Sequence, residues 1–282
     1  MRKYRDFKLK YREQDPRDVF CDFSFVTQPG VSWEYPYEKL AAMAQPENWG
    51  FTHEEFRTRY PQQKYPILMN YLNYTFLRLQ DLDLIAYTDD GTKACFNTGL
   101  LTIEEQSIYI TFYRNRKAEL YNKPDWTLFG FANSYDVRKS GNFTTLPDSA
   151  WYYEDPTELF FDCRIKTMDI DYDHILNEDI DRLPEVLQKN HFLALNQLKA
   201  QVDSTRERAR RNYKLAIPHW YENRVQLLMP LNLVEPGKAD LALVIEKDPA
   251  AQVYLARTIL SLDMAYMDAR LIARPDREWL DP

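Results

Sequence analysis

From about residue 184 to 213 the chain carries the pattern that most restricts its fold. Leu195, Leu198, Val202, Ala209 and Tyr213 recur at helical spacing, which puts them on one face of a long amphipathic helix. Such a stripe must be buried against a sheet or other helices. Pro184 suits the helix's first turn, a break is expected near Asn190, and Pro218 closes the following segment. Arg206 falls on the stripe as well, four residues after Val202. A guanidinium facing a core needs a counter-charge, because an unpaired buried charge costs several kcal/mol. The partner is either a protein carboxylate or the anion of a ligand.

The chain before this helix divides by its punctuation. Residues 1 to 35, ending in Gln28-Pro29-Gly30, read as an arm laid over the domain. Short helices are expected from Tyr37 to Ala44 and after Thr52, where Glu55 completes a capping box. A stronger helix runs from Pro66 to Leu82, with Leu68, Leu72, Phe76 and Leu79 on its apolar face and Asn70, Tyr74 and Arg78 on a more polar one. Leu84–Tyr87 and Lys93–Phe96 flank Asp89-Asp90-Gly91, a hairpin signal. Strands are expected at Ser107–Tyr113, Trp126–Ala132 and Leu159–Ile165, with residues 133 to 157 as an irregular connection. The acidic run Asp169, Asp171, Asp173, Glu178, Asp179, Asp181 lacks the glycine and terminal glutamate of a calcium loop, and reads as a solvated loop.

After the helix the chain turns to strands. Arg224–Leu233 and Ala239–Glu246 form a hairpin around Glu235-Pro236-Gly237-Lys238, with Pro230 marking an edge or bulge. Val253–Met264 is a further apolar run. The expected architecture is α+β: a mostly antiparallel sheet, the helix at about 184–213, and an N-terminal helical region. The domain division drawn from sequence is an arm with short helices over 1–63, packed on a single α+β domain over 64–282.

A formal charge of −7 argues against coating nucleic acid by bulk electrostatics but leaves room for a local basic cleft. The three cysteines, Cys21, Cys95 and Cys163, are far apart and match no zinc or disulfide pattern. No signal core or membrane-spanning run is present, so the chain reads as soluble and cytoplasmic. Templates for phosphate loops, dinucleotide folds, serine hydrolases and zinc proteases are missing.

What remains is basic. Arg206, Arg208, Arg210, Arg211 and Lys214 cluster at the helix end, and Arg257, Arg270, Arg274 and Arg277 form a second set. The guanidinium fork suits phosphate and carboxylate. One or two of the first set serve equally to offset the negative end of the helix dipole. Asp240 and Asp263 are the nearby carboxylates. Asp240, alternating with apolar neighbours, either points to solvent or pairs with an internal arginine, ahead of a metal role, and the two together fall well short of a metal signature. Asn97-Thr98-Gly99 at a strand end either aims polar groups into a concavity or forms a plain turn. Cys95 reads as a small buried hydrophobe ahead of a nucleophile.

Several short motifs occur in order: Asn70-Tyr71 with Tyr74-Thr75-Phe76, Phe96-Asn97-Thr98-Gly99-Leu100, Arg211-Asn212-Tyr213-Lys214 with Ala216-Ile217-Pro218, Ala239-Asp240-Leu241-Ala242-Leu243, and Met264 through Arg274-Pro275 with Trp279-Leu280. From about Lys64 onward the chain resembles an uncharacterised prokaryotic domain family of unknown function. Domains of this family can stand beside RNA-binding modules of the LOTUS or cold-shock kind, so the resemblance implies an RNA- or nucleotide-related task. At two positions the chain departs from the family pattern: Asp268 stands where an amide is usual, and His219 where glutamine is.

The resulting expectation is an RNA- or nucleotide-handling protein whose cleft is built from Asn97, Thr98, Arg206, Arg211, Asn212, Lys214 and Arg270. If catalytic, it performs phosphoryl or nucleotidyl transfer or phosphodiester chemistry, with Asp240 and Asp263 as metal or base positions and a divalent metal ion as cofactor. The alternatives are a non-catalytic domain with internal arginine–carboxylate pairs that recruits a protein partner, or an enzyme acting on another small anionic metabolite.

Overall fold

The computed structural model describes residues 23–25, 32, 34–52, 54–59, 61, 63–116, 124–272, 274 and 280. The expected arm falls almost entirely outside them, as do Cys21, His53, Arg277 and Trp279. The chain forms two compact units, Met1–Trp151 and Tyr152–Pro282. The division drawn from sequence, at 63/64, falls elsewhere. The observed boundary lies in the connection expected over 133 to 157, where residues 142–155 hold no helix or strand. Both units combine helices with a mostly antiparallel five-stranded sheet. Among the described residues no helix is long and apolar enough to cross a membrane.

In the first unit the sheet order is β1-β5-β4-β3-β2, with β1 (Ser24–Phe25), β2 (Ala86–Tyr87), β3 (Lys93–Leu101), β4 (Ser107–Arg114) and β5 (Trp126–Asn133). Only the β1–β5 pair is parallel. Helices α1 (Tyr35–Met43), α2 (Glu54–Arg59) and α3 (Pro66–Asp81) precede β2, and α4 (Ser134–Gly141) follows β5. Helix α4 falls inside the stretch expected to be irregular. Asn133 starts it, its Oδ1 accepting the Asp136 N–H at 2.9 Å.

Helix α3 is buried on almost every side, including Asn70 and Asn73. Of the polar face expected from its spacing, Asn70 is buried while Tyr74 and Arg78 are half-buried, and Arg78 Nε donates to Trp151 O at 2.7 Å. Its Phe76 joins Phe23, Phe96, Phe112 and Trp126 in an aromatic core with centroid separations of 4.9 to 6.0 Å. The β2–β3 hairpin forms as expected. Asp90 Oδ1 accepts from the Thr88 and Thr92 hydroxyls, and Gly91 adopts φ 65°.

In the second unit the sheet order is β6-β10-β9-β8-β7, with β6 (Thr167–Ile170), β7 (Ile217–Tyr221), β8 (Arg224–Leu231), β9 (Leu241–Asp248) and β10 (Val253–Ser261). Only β6–β10 is parallel. The strand expected at Leu159–Ile165 does not form; the strand is β6, which runs into the start of the acidic run at Asp169. Pro230 pairs across to Ala242 on β9, while β7 pairs with β8 only as far as Leu228. The proline thus sits where β8 is locally an edge, which tolerates its missing N–H.

The helix expected over 184–213 is two pieces, α6 (Glu185–Gln188) and α7 (His191–Ala209), between α5 (Tyr172–Asn177) and β7. Asn190 makes the break by capping α7, its Oδ1 accepting from Leu193 N at 3.0 Å. The buried stripe of α7 is Leu198, Val202, Thr205 and Ala209, packed with Leu227, Met229 and Leu231 of β8. Thr205, not Arg206, holds the core position, its hydroxyl donating to Pro230 O at 2.7 Å. Helix α8 (Leu262–Ala269) packs on β7, β9 and β10.

Candidate functional site

Helix α7 ends at Ala209 because the chain then coils through successive turns. The N–H groups of Arg211 and Asn212 bond to Arg208 O, and Asn212 Oδ1 accepts from Lys214 N at 3.1 Å. Tyr213, expected on the core stripe, consequently projects outward with 64 % of its surface exposed. Its ring meets that of Phe160, itself 48 % exposed, at a centroid distance of 6.1 Å. Phe160 was not anticipated as a surface ring, since its neighbours read as a strand.

The basic cluster around this pair is partly answered by local carboxylates. Arg206 meets Asp203 at 3.2 Å, while Arg210 and Arg211 share Glu207 at 3.1 and 3.0 Å. Those two guanidiniums hold the Glu207 carboxyl below the usual range. Arg208 donates to Asn232 Oδ1 at 3.1 Å. Between residues 203 and 214 the chain carries five cations and two carboxylates, Asp203 and Glu207, so positive charge remains in excess beside the exposed rings.

The other expected site residues are on other elements. Asn97 and Thr98 belong to the first unit and are buried. Thr98 Oγ1 donates to Ile108 O at 2.7 Å and accepts from Leu100 N at 3.2 Å, while Asn97 Oδ1 accepts from Gly99 N at 2.9 Å. They hold the irregularity in the β3–β4 register between Asn97 and Leu101. Their hydrogen bonds are local and structural. Arg270 is half-buried at the end of α8, and Arg257 is exposed on β10.

Asp240, expected to face an arginine, a metal or a base role, instead closes the β8–β9 turn. Its Oδ2 accepts from Leu233 N and Val234 N at 2.6 and 2.9 Å. Asp263 is fully buried in the first turn of α8. Among the described residues no three His, Cys, Asp or Glu side chains converge as metal ligands would. Cys95 is enclosed with Tyr109 and Val137, and burial pushes its thiol up to about 12, far from a reactive thiolate.

His219 and Asp268 both titrate away from their usual ranges. His219 is 2 % exposed, and neither ring nitrogen has a hydrogen-bond partner. Burial lowers its pKa to about 4. Desolvation pushes Asp268 on α8 the other way, up to about 7, although part of that residue remains exposed. The signs oppose. Between pH 4 and 6.5 the unfolded chain binds a proton at His219 that the folded chain does not, so this contribution is lost as pH falls. Over the same window the folded chain holds a proton on Asp268 that the unfolded chain has released, so that contribution is lost as pH rises. Asp268→Asn should therefore raise stability at pH 7 and leave the His219 loss, on the order of 3 kcal/mol, visible on acidification. His219→Gln should instead gain stability as pH falls from 7 to 4. Thermal melts across that range read both.

No curated protein and no solved structure matches the chain. A family model described as a domain of unknown function, DUF3825, matches residues 40–279. The match spans both units and most of the chain, which therefore belongs to the DUF3825 family.

Proposed function

We propose that the protein handles RNA or nucleotides through the basic, aromatic patch after α7. The observation that carries this reading is the juxtaposition of two exposed rings, Tyr213 and Phe160, with a run in which cations outnumber carboxylates by five to two. Exposed rings stack on unpaired bases of any sequence, and excess Arg and Lys draw the phosphates. Arg210, Arg211 and Lys214 are exposed, so they reach a ligand without disturbing the core. The Glu207 carboxylate orients two of the guanidiniums and is a competitor that a phosphate must displace. The resemblance to domains that accompany RNA-binding modules points the same way. Asn97, Thr98, Asp240 and Asp263 are not needed for it, and the reading is one of binding.

Titration of a short single-stranded RNA by fluorescence anisotropy tests the proposal. Tyr213→Ala should weaken binding by the roughly 1–3 kcal/mol of one stacking contact, which is about 5- to 150-fold. Arg211→Ala should weaken it and flatten its salt dependence. Both side chains are exposed, so the melting temperature should hardly move. Unchanged affinity in both variants contradicts the proposal.

A second reading has its own observation. Val186 on α6 and Phe192 and Leu193 on α7 are exposed, Phe192 to 77 %. Large apolar side chains exposed near one another in the chain suit a protein partner. If RNA and nucleotides fail to bind, this face is the one to alter.

A further inference from the structure

We infer that the first unit carries a pocket of its own, on its sheet, for the planar base of a nucleotide. It is built wholly from first-unit residues and shares only its ligand class with the patch after α7. A cavity of about 220 Å³ opens on β3, β4 and β5, lined by Lys93, Thr111, Tyr113, Phe129, Gly130 and Phe143 among others. It is smaller than the roughly 300–1,000 Å³ of pockets that hold drug-sized ligands, and suits a single ring system. Tyr113 and Phe129, both exposed, meet edge to face at 4.7 Å and 73°. Lys93 Nζ lies 5.8 Å from the Tyr113 ring centroid. Rings offer stacking surfaces, and one ammonium offers a partner for one phosphate group.

Gly130 is the residue that points to an occupant. The chain has only seven glycines, and one inside a strand weakens it. A bulge leaves Phe129 without a residue opposite, since Thr111 pairs with Gly130 and Phe112 with Leu128. Yet Gly130 is not in the left-handed region, so the bulge does not require glycine there. Crowding does not require it either, since a Cβ would meet nothing within 4 Å. Thr111 Oγ1 donates to Gly130 O at 3.0 Å, fixing the backbone that lines the pocket there. Glycine within a strand also marks places where a ligand approaches the backbone closely, and here neither conformation nor packing accounts for it.

The same feature supplies the test. Gly130→Leu should fill the pocket with the fold intact, and its melting temperature should equal or exceed that of the parent. Isothermal titration uses AMP, adenosine and a single-stranded oligoribonucleotide as probes, each against the parent, Gly130→Leu, Lys93→Gln and Tyr213→Ala. The expected result is binding of AMP that drops at least tenfold in Gly130→Leu and is unaffected by Tyr213→Ala. Lys93→Gln should weaken AMP more than adenosine. If the oligonucleotide alone binds and Gly130→Leu weakens it, the base comes from a strand and the pocket stands. Should Gly130→Leu fold poorly, Phe129→Ala takes its place, with the same drop expected. Parent-like affinity for AMP and oligonucleotide in the pocket variants, or no binding of either by the parent, overturns the inference. Loss in Tyr213→Ala alone supports the patch after α7 and rejects this pocket.

Discussion

An Asp179→Ala variant is expected to lose about 2–4 kcal/mol of stability in urea denaturation at neutral pH, from unsatisfied buried donors and a half-buried ion pair stripped of its carboxylate. The carboxylate is buried beneath β10 at the irregularity between Ala256 and Thr258. Its Oδ2 accepts from Thr258 Oγ1 at 2.7 Å and Ile259 N at 3.2 Å, and its Oδ1 faces Arg182 Nη1 at 2.8 Å. Arg182 Nη1 in turn donates to Ile259 O at 2.6 Å. Alanine would leave a buried backbone N–H, a hydroxyl and a guanidinium without their shared acceptor. Asp179→Asn keeps an acceptor for the bulge and loses only the charge, so it should cost less. Equal stability of all three proteins would show that the bulge does not depend on this pair.

Gly99→Ala is expected to cost roughly 2–4 kcal/mol, combining the strain of positive φ with a lost buried hydrogen bond. Gly99 has φ 76°, and a Cβ there would sit 2.5 Å from Tyr71 Oη. That hydroxyl donates to Thr98 O at 2.9 Å, tying α3 to β3. Gly91→Ala is the control: φ is 65° but nothing lies within 4 Å of its Cβ, so only the conformational cost of about 1 kcal/mol remains. Adding Tyr71→Phe to Gly99→Ala relieves the clash, and the double variant should be more stable than the sum of the single losses. Additive losses would place the cost in the backbone alone.

Local chemistry made much of the fold legible. Asp89-Asp90-Gly91 became the β2–β3 hairpin, Pro66 opened α3, and the apolar runs after Arg224 became β8, β9 and β10. Features set by distant partners stayed hidden. The acidic run conceals β6 because its parallel partner β10 lies some eighty residues on, and the same separation hides Asp179 as a buried clamp rather than a solvated charge. Thr205 and Arg206 are neighbours on one helix, and sequence spacing placed the wrong one on the core. The candidate site was legible as chemistry but not as geometry. Arg206 is in the last turn of α7 and Arg211 just beyond it, but Arg270 ends α8, Asn97 and Thr98 are committed to a bulge, and Tyr213 points outward because α7 stops at Ala209.

The account rests on excess positive charge and exposed rings after α7 meeting a nucleic-acid chain. The most direct measurement is the affinity for a short single-stranded RNA as salt rises from about 50 to 200 mM. The account predicts a linear fall of log affinity with log salt, with a slope of about −2 for some three phosphates contacted, and a shallower slope in Arg211→Ala. Affinity that ignores salt, or an unchanged slope in that variant, contradicts it.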